Sequence, residues 1–409
     1  MSNRWGVPAG VWLLGAVSLL NDVASEAIYP LLPFFLTTVL GATVVSLGVI
    51  EGAADAVSSI LKLLSGYVSD RWKRRKPIVV FGYSLSGMAR PFIAFANGWW
   101  MVFTLRFIDR VGKGIRTAPR DAMLAEFAHV SNRGKVYGLH RAMDHTGAVV
   151  GPVLAWLFLL AFPDRYRTLF TLTVIPGLAT VLLLLWVREP SPGSPIQNQQ
   201  SRIPNPQSLV SNPDKFQRQG LMRYFVVLSV FTLGNSADAF LLLHLTQAVG
   251  GPPLIPLFWS LLHVVKMAAS LIGGPASDRF GRRGLIAVGW LIYAAVYAGF
   301  AFATAMWSLV SWFLLYGVYY GAVEGSERAL VADLAHPVQR GITFGIYNAI
   351  TGIGALISSV VFGLIWTAFG ARSAFLTGAT LALVASVLLF VLVPAPSDNS
   401  RYETYPGDQ

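Results

Sequence analysis

The chain contains no cysteine, which excludes disulfides and thiolate metal sites. Its six histidines (His129, His140, His145, His244, His263, His336) show no metal-ligand spacing, so no metal and no cofactor is expected. There is no nucleophile elbow and no HExxH. The Walker phosphate loop is missing as well, because Gly112-Lys113 runs into Gly114 where that motif needs Ser or Thr. An enzyme and a nucleotide-driven pump are therefore disfavoured. Charge is scarce, at 12 % of residues, against roughly a quarter in an ordinary soluble domain.

What fills the chain is apolar: 54 % of 409 residues are hydrophobic. A helix needs about 20 such residues to cross a bilayer, and twelve crossings use roughly 240. Apolar runs predict helices near 10–36, 44–68, 77–96, 99–125, 134–161, 168–188, 222–248, 254–276, 285–304, 307–332, 341–368 and 372–393. The first run continues past Leu20 without a small-residue cleavage site, so it reads as a retained helix and not as a signal peptide. The net charge of +11 reflects basic loops on one side, which argues for topology and against nucleic acid. Arg4, Arg71 to Lys76, Arg133, Lys135, Arg279 to Arg283 and Arg340 share that side; Arg165, Arg167 and Arg372 lie on the other. By the positive-inside rule both termini are cytoplasmic. Trp99, Trp100, Trp307 and Trp366 fall near the outer ends, as interfacial aromatics do.

The chain repeats itself. Gly66-Tyr-Val-Ser-Asp70-Arg71-Trp-Lys-Arg-Arg75 returns as Gly274-Pro-Ala-Ser-Asp278-Arg279-Phe-Gly281-Arg-Arg283, each copy between two apolar runs. Arg133-Gly134, Gly138 and Gly147 recur 207 positions later as Arg340-Gly341, Gly345 and Gly354. So long a period is a duplicated domain. Segment 189–221 has six prolines among Ser, Asn and Gln and little apolar periodicity. The expected layout is an all-α membrane protein of twelve transmembrane helices in two pseudo-symmetric six-helix bundles. Residues 1–188 form the first bundle, 189–221 a flexible cytoplasmic linker, 222–393 the second bundle and 394–409 a polar tail.

The duplicated turn resembles the G-x-x-x-D-R-x-G-[RK]-[RK] turn of the major facilitator superfamily, which the second copy matches fully. The first copy has Lys73 where the glycine belongs. Gly147-Ala-Val-Val-Gly151-Pro152 is similar to part of the antiporter motif on that family's fifth helix, with Ala155 and Trp156 in place of its downstream glycines. Arg106 stands where the family often has a membrane arginine, followed by Arg110 instead of glycine. The resemblance implies secondary transport by alternating access, with helices one, four, seven and ten lining the cavity. Gly66, Asp70, Arg71, Arg75, Gly274, Asp278, Arg279 and Gly281 then form gating turns in which a carboxylate caps a helix or pairs with a cation in one state only. Gly147 and Gly151 would let helices approach closely, and Pro152 would bend its helix, at the interface between the halves.

Helix four carries Arg106, Asp109, Arg110, Lys113, Arg116, Thr117 and Arg120 within an arc of roughly 120°, at about 100° per residue. Each charge near mid-bilayer costs about 2.5–3.5 kcal/mol, so the stripe must face water or partners. Partners are available on helix one (Asp22, Ser25, Glu26, Tyr29), helix two (Glu51, Asp55) and helix five (Arg141, Asp144, His145). The second half offers Asn235, Asp238, His263, Lys266, Glu324, Glu327 and Arg328. The expected substrate and proton cavity comprises Asp22, Glu26, Tyr29, Arg106, Asp109, Arg110, Lys113, Arg141, Asp144, Asp238, Lys266 and Glu324. Cations there would bind an anionic solute while a carboxylate, moved between dry and cation-rich surroundings, takes up and releases a proton. Structural ion pairing between helices is the competing reading. The expected function is proton-coupled export of a small polar or anionic solute or drug by a monomeric antiporter in the bacterial inner membrane. Uptake by symport and flipping of a lipid-like amphiphile are the alternatives, and a membrane receptor or enzyme is a remote one.

Overall fold

The structure, a computed structural model, describes residues 8–72, 74–127, 133–188, 215–335 and 340–393. Helices account for nearly all of these, and no strand occurs among them. Helix α1 starts as Ala9–Ile28 and continues through a tighter turn, Tyr29–Leu31, and a wider one, Phe35–Val39. Pro30 and Pro33 lack the N–H donors a regular ladder needs, which accounts for the irregular end. Then follow α2 (Val44–Trp72), α3 (Lys76–Phe92), α4 (Trp99–Phe127), α5 (Arg133–Ala161) and α6 (Tyr166–Leu172 with Val174–Trp186). The second half has α7 (Lys215–Gly234 with Asp238–Val249), α8 (Ile255–Phe280), α9 (Arg282–Phe302) and α10 (Met306–Leu334). A last rod, Arg340–Leu392, breaks at Gly370, whose φ of 83° suits a residue without Cβ, into α11 (340–369) and α12 (371–392).

Ten stretches are long and apolar enough to cross a membrane. The last of them holds both α11 and α12, and α4 is left out by its charges. With α4 counted and the last stretch divided at Gly370, the described residues hold twelve helices, and the ten stretches are those that meet the length and hydropathy of a crossing. Helix α7 starts at Lys215, inside the segment expected to be linker, because polar residues extend the helix beyond its apolar run. Residues 189–214 of the expected linker and the tail from 394 lie outside the described residues.

Within the first bundle α1 packs on α5 and α6, and α4 on α2 and α3; within the second, α10 packs on α8 and α9, α7 on α11 and α9 on α12. The halves meet along two seams, α2 against α11 and α5 against α8. Leucines on the outer faces, among them Leu154, Leu157, Leu178, Leu182 and Leu271, are exposed, as a lipid-facing surface requires. Trp99, Trp100 and Trp307 are exposed at helix starts, as expected, whereas Trp366 packs inward against His244, Phe362 and Phe375.

The duplicated turns fasten each bundle in the same way. Arg75 at the start of α3 pairs with Glu126 at the end of α4. Arg282 at the start of α9 pairs with Asp333 at the end of α10 at 2.6 Å. Both partners are shifted by the same 207 positions. Gly281, at φ 84°, turns the chain between α8 and α9. Gly66 faces Ala118 with ordinary room for a Cβ, at 3.5 Å, and Arg71 and Arg279 are exposed. Lys73 and the side chains of Asp70, Gly274 and Asp278 lie outside the described residues.

Candidate functional site

Helix α7 is interrupted in its middle. Residues 235–237 are not helical, and Ala237 is extended at ψ 141°. Free backbone groups at membrane depth need partners from the protein. They find them: the Ala237 N–H donates to Ser359 Oγ at 3.2 Å, and the Tyr293 hydroxyl donates to the Gly234 carbonyl at 2.9 Å. Ser236 shares a hydrogen bond of 3.0 Å with Tyr297. The break presents Asn235, Ser236, Ala237 and Asp238 to a cavity of about 260 Å³ between the two bundles.

That cavity is walled from both halves. The first supplies Glu26, Tyr29, Asp55 and Arg110; the second supplies the α7 break with Trp259, His263, Lys266 and Tyr320. Asp238 is the best-held group. It accepts hydrogen bonds from the Tyr316 hydroxyl at 2.7 Å and the Tyr320 hydroxyl at 3.2 Å, and faces Lys266 Nζ at 3.4 Å. Lys266 lies 3.7 Å from the Tyr320 ring centre, a cation–π contact. Glu26 crosses the gap, accepting from Trp259 Nε1 at 2.8 Å, with His263 Nε2 3.9 Å away. Tyr29 leans on Trp259, their ring centres 5.1 Å apart. Arg110 and Asp55 face the cavity with no ion pair among the described residues, and Arg110 Nε is buried without a hydrogen-bond partner among them. The cavity can therefore offer the Arg110 guanidinium and the Asp55 carboxylate to a solute.

Behind this wall lies a dry ion lattice. Arg106 clasps Glu51 with three hydrogen bonds of 2.7–3.1 Å and sits 3.6 Å from Asp109. Arg90 donates to Asp109 at 2.9 and 2.8 Å and to the carbonyl and side chain of Asn21 at 3.0 Å. Arg116 donates to Ser86 at 2.7 Å and lies over the Tyr83 ring at 4.4 Å. Arg120 reaches Ser18 at 3.0 Å. The lattice ties α1, α2, α3 and α4 together, and the Tyr29 ring, 5.3 Å from Arg106, stands between that arginine and the cavity.

Of the residues expected to line one chamber, Glu26, Tyr29, Arg110, Asp238 and Lys266 do so. Glu324 lines a second cavity of about 250 Å³ that shares Asn235, Tyr320 and Ala355 with the first. Arg106 and Asp109 belong to the lattice instead. Asp144 is buried beside His140 at 3.5 Å and Arg141 at 3.7 Å. Asp22 accepts from Asn21 at 2.9 Å. Lys113 and Arg141 are exposed. Gly147 and Gly151 admit α1 at backbone distance: a Cβ added at Gly151 would lie 2.6 Å from the Val23 carbonyl oxygen. Their close approach thus lies within the first bundle and not across the halves. It is the neighbouring Val149 carbonyl that accepts from Ser260 of α8, at 2.9 Å. Arg90 was not singled out from sequence, although a lone guanidinium in an otherwise apolar helix is a readable signal.

A model of the Major Facilitator Superfamily matches residues 14–265 and 224–404. The chain belongs to that superfamily. It is 31 % identical over 389 residues to an uncharacterized MFS-type transporter of Methanocaldococcus jannaschii, covering 93 % of this chain and 94 % of that one. It is 22 % identical to sugar efflux transporter A of Dickeya chrysanthemi, over 91 % and 93 % of the two chains. Among solved structures, a POT family transporter in complex with 5-aminolevulinic acid superposes with a TM-score of 0.79 at 10 % identity, covering 96 % of this chain and 98 % of that chain. Superfamily members are integral membrane transporters of small molecules, and this chain shares their fold.

Proposed function

We propose that the protein is a proton-coupled exporter of a small anionic or polar solute, residing in the bacterial inner membrane as a monomer with both termini cytoplasmic. One observation carries this reading: a cavity between the bundles is lined by charged side chains of both halves, and among the described residues Arg110 and Asp55 make no ion pair there. Arg110 is the group to hold a carboxylate, phosphate or similar anion. The positive potential of Arg110, Lys62, Lys113, Arg141 and Arg328, which neighbour one another electrostatically, draws anions in. Glu26 is the group to take up the proton, since its contacts with Trp259 and His263 span the two halves and must change as they rock. The gating turns contribute by holding the ends of α3 and α9 to their own bundles, so that each half moves as a body. Export is favoured by the similarity to a sugar efflux transporter.

The test uses proteoliposomes with a pH-sensitive dye inside, an imposed pH gradient and a panel of sugars, sugar acids, dicarboxylates, amino acids and inorganic phosphate. An anionic solute should produce solute-dependent proton flux. Glu26→Gln should abolish it, whereas Arg110→Gln should raise the half-saturating concentration roughly 10–100-fold, the worth of one charge-assisted contact. Proton flux unchanged in Glu26→Gln would remove that carboxylate from coupling, and flux driven only by neutral solutes would remove the anion.

A further inference from the structure

Glu327 lies on α10 with its carboxylate sealed among neutral groups, 6 % exposed. Its Oε1 accepts from Trp290 Nε1 at 3.1 Å and its Oε2 from the Tyr347 hydroxyl at 2.8 Å. Among the described residues no cation comes within ion-pair distance of it. Arg328, next in the chain, pairs with Glu324 at 3.2 Å, and both are half exposed. Tyr319, also on α10, shares the side-cavity wall with Glu327. The remaining described carboxylates of the second half, Asp238 and Asp333, each face a cation.

The niche serves both protonation states. Indole N–H can only donate, so Oε1 is an acceptor in either state. A tyrosine hydroxyl donates or accepts, so Tyr347 donates to the carboxylate and can turn to accept from the protonated acid. Taking a proton here breaks no ion pair and strands no donor. The first half uses the equivalent position differently. At the 207-residue offset Glu327 corresponds to Arg120, Trp290 to Tyr83 and Tyr347 to His140. Arg120 is a permanent cation held by Ser18 and Asp121, at 3.0 and 2.8 Å. One niche thus holds a fixed charge in the first bundle and an acid in the second. The second cavity, whose walls include Glu327, shares three lining residues with the solute cavity.

We propose that Glu327 is a proton-binding site of the second bundle, separate from the solute cavity and reached through the side cavity. Its part in transport rests on the proton coupling proposed above; the binding itself does not. The test is pH-difference infrared spectroscopy on the purified, reconstituted protein with no solute added. The parent should show the C=O band of a protonated carboxyl as pH falls. Glu327→Gln, which keeps size and an acceptor for Trp290, should remove one carboxyl from that band. Tyr347→Phe should keep the carboxyl and move its band to higher frequency, because a hydrogen bond is lost; a merely structural role for Glu327 would produce neither change. Spectra of Glu327→Gln identical to the parent would overturn the proposal, and an unmoved band in Tyr347→Phe would overturn the assignment of its partner. Loss of solute-dependent proton flux in the parent, with the band intact, would sink the coupling reading alone.

Discussion

Asp109→Asn should destabilise the first bundle by about 3–5 kcal/mol, the range for removing one partner of a buried ion pair. The geometry puts it at the upper end. Of three buried guanidiniums, Arg90 and Arg106 hold the carboxylates Glu51 and Asp109, whereas Arg116 is held by Ser86 and the Tyr83 ring. Asp109 is 2 % exposed and serves two of the three. Neutralising it leaves Arg90 with Asn21 and Arg106 with Glu51, in a region without bulk water. Unfolding of the detergent-solubilised protein in denaturant measures the loss. The double change Arg90→Leu with Asp109→Leu is the control: it removes charge of both signs and fills the space, so it should recover much of the stability. A single variant as stable as the parent would mean that water reaches the lattice.

The lattice also shows how far the sequence could be read. The number of helices and their duplication follow from apolar run lengths and one repeated turn, because hydrophobic length and loop charge are local properties. The role of each charge on α4 does not. Arg106, Asp109, Arg110 and Lys113 share one broad arc, and a single-helix projection cannot tell which edge meets another helix and which meets the gap. The deciding residues are on α3 and α2: Arg90 and Glu51 claim Arg106 and Asp109, leaving Arg110 for the cavity.

The second half was harder to read for a different reason. At the 207-residue offset Arg90, Asp109 and Lys113 correspond to Tyr297, Tyr316 and Tyr320. A search for charge therefore finds the first bundle's lattice and passes over its counterpart. Tyr293, Tyr297 and Tyr316 are buried and mutually packed, with Tyr293 and Tyr297 stacked at 4.1 Å. They hold the α7 break and Asp238 through hydroxyls. The spacing of Tyr316, Tyr319 and Tyr320 on one helix face was legible, but a tyrosine ladder reads as ordinary core until the broken backbone it serves is known.

Gly52→Ala should trap the protein on one side of its cycle. The α2–α11 seam runs antiparallel from Val44 against Gly363 to Leu63 against Gly345, with Gly52 in between. A Cβ on Gly52 would lie 2.8 Å from the Leu356 Cα and 3.1 Å from its carbonyl oxygen, so backbone and not a flexible side chain must move. The intrinsic gain of alanine in a helix is about 1 kcal/mol, and overpacking costs about 1–3 kcal/mol. The net effect therefore falls on the relative stability of the two packed states and not on the helix. Because the chain has no cysteine, Asn235→Cys gives the cavity a single reporter thiol. In that background a membrane-impermeant thiol reagent should label from both faces of the membrane as the protein cycles. Adding Gly52→Ala should slow labelling from one face roughly 10–100-fold, since each 1.4 kcal/mol is a factor of ten. Gly325→Ala, where a new Cβ meets nothing within 4 Å, should leave both rates as they were. Equal two-sided labelling in Gly52→Ala would mean that the bundles exchange states without closing this seam, and the rocking would have to pivot elsewhere, along α5 and α8.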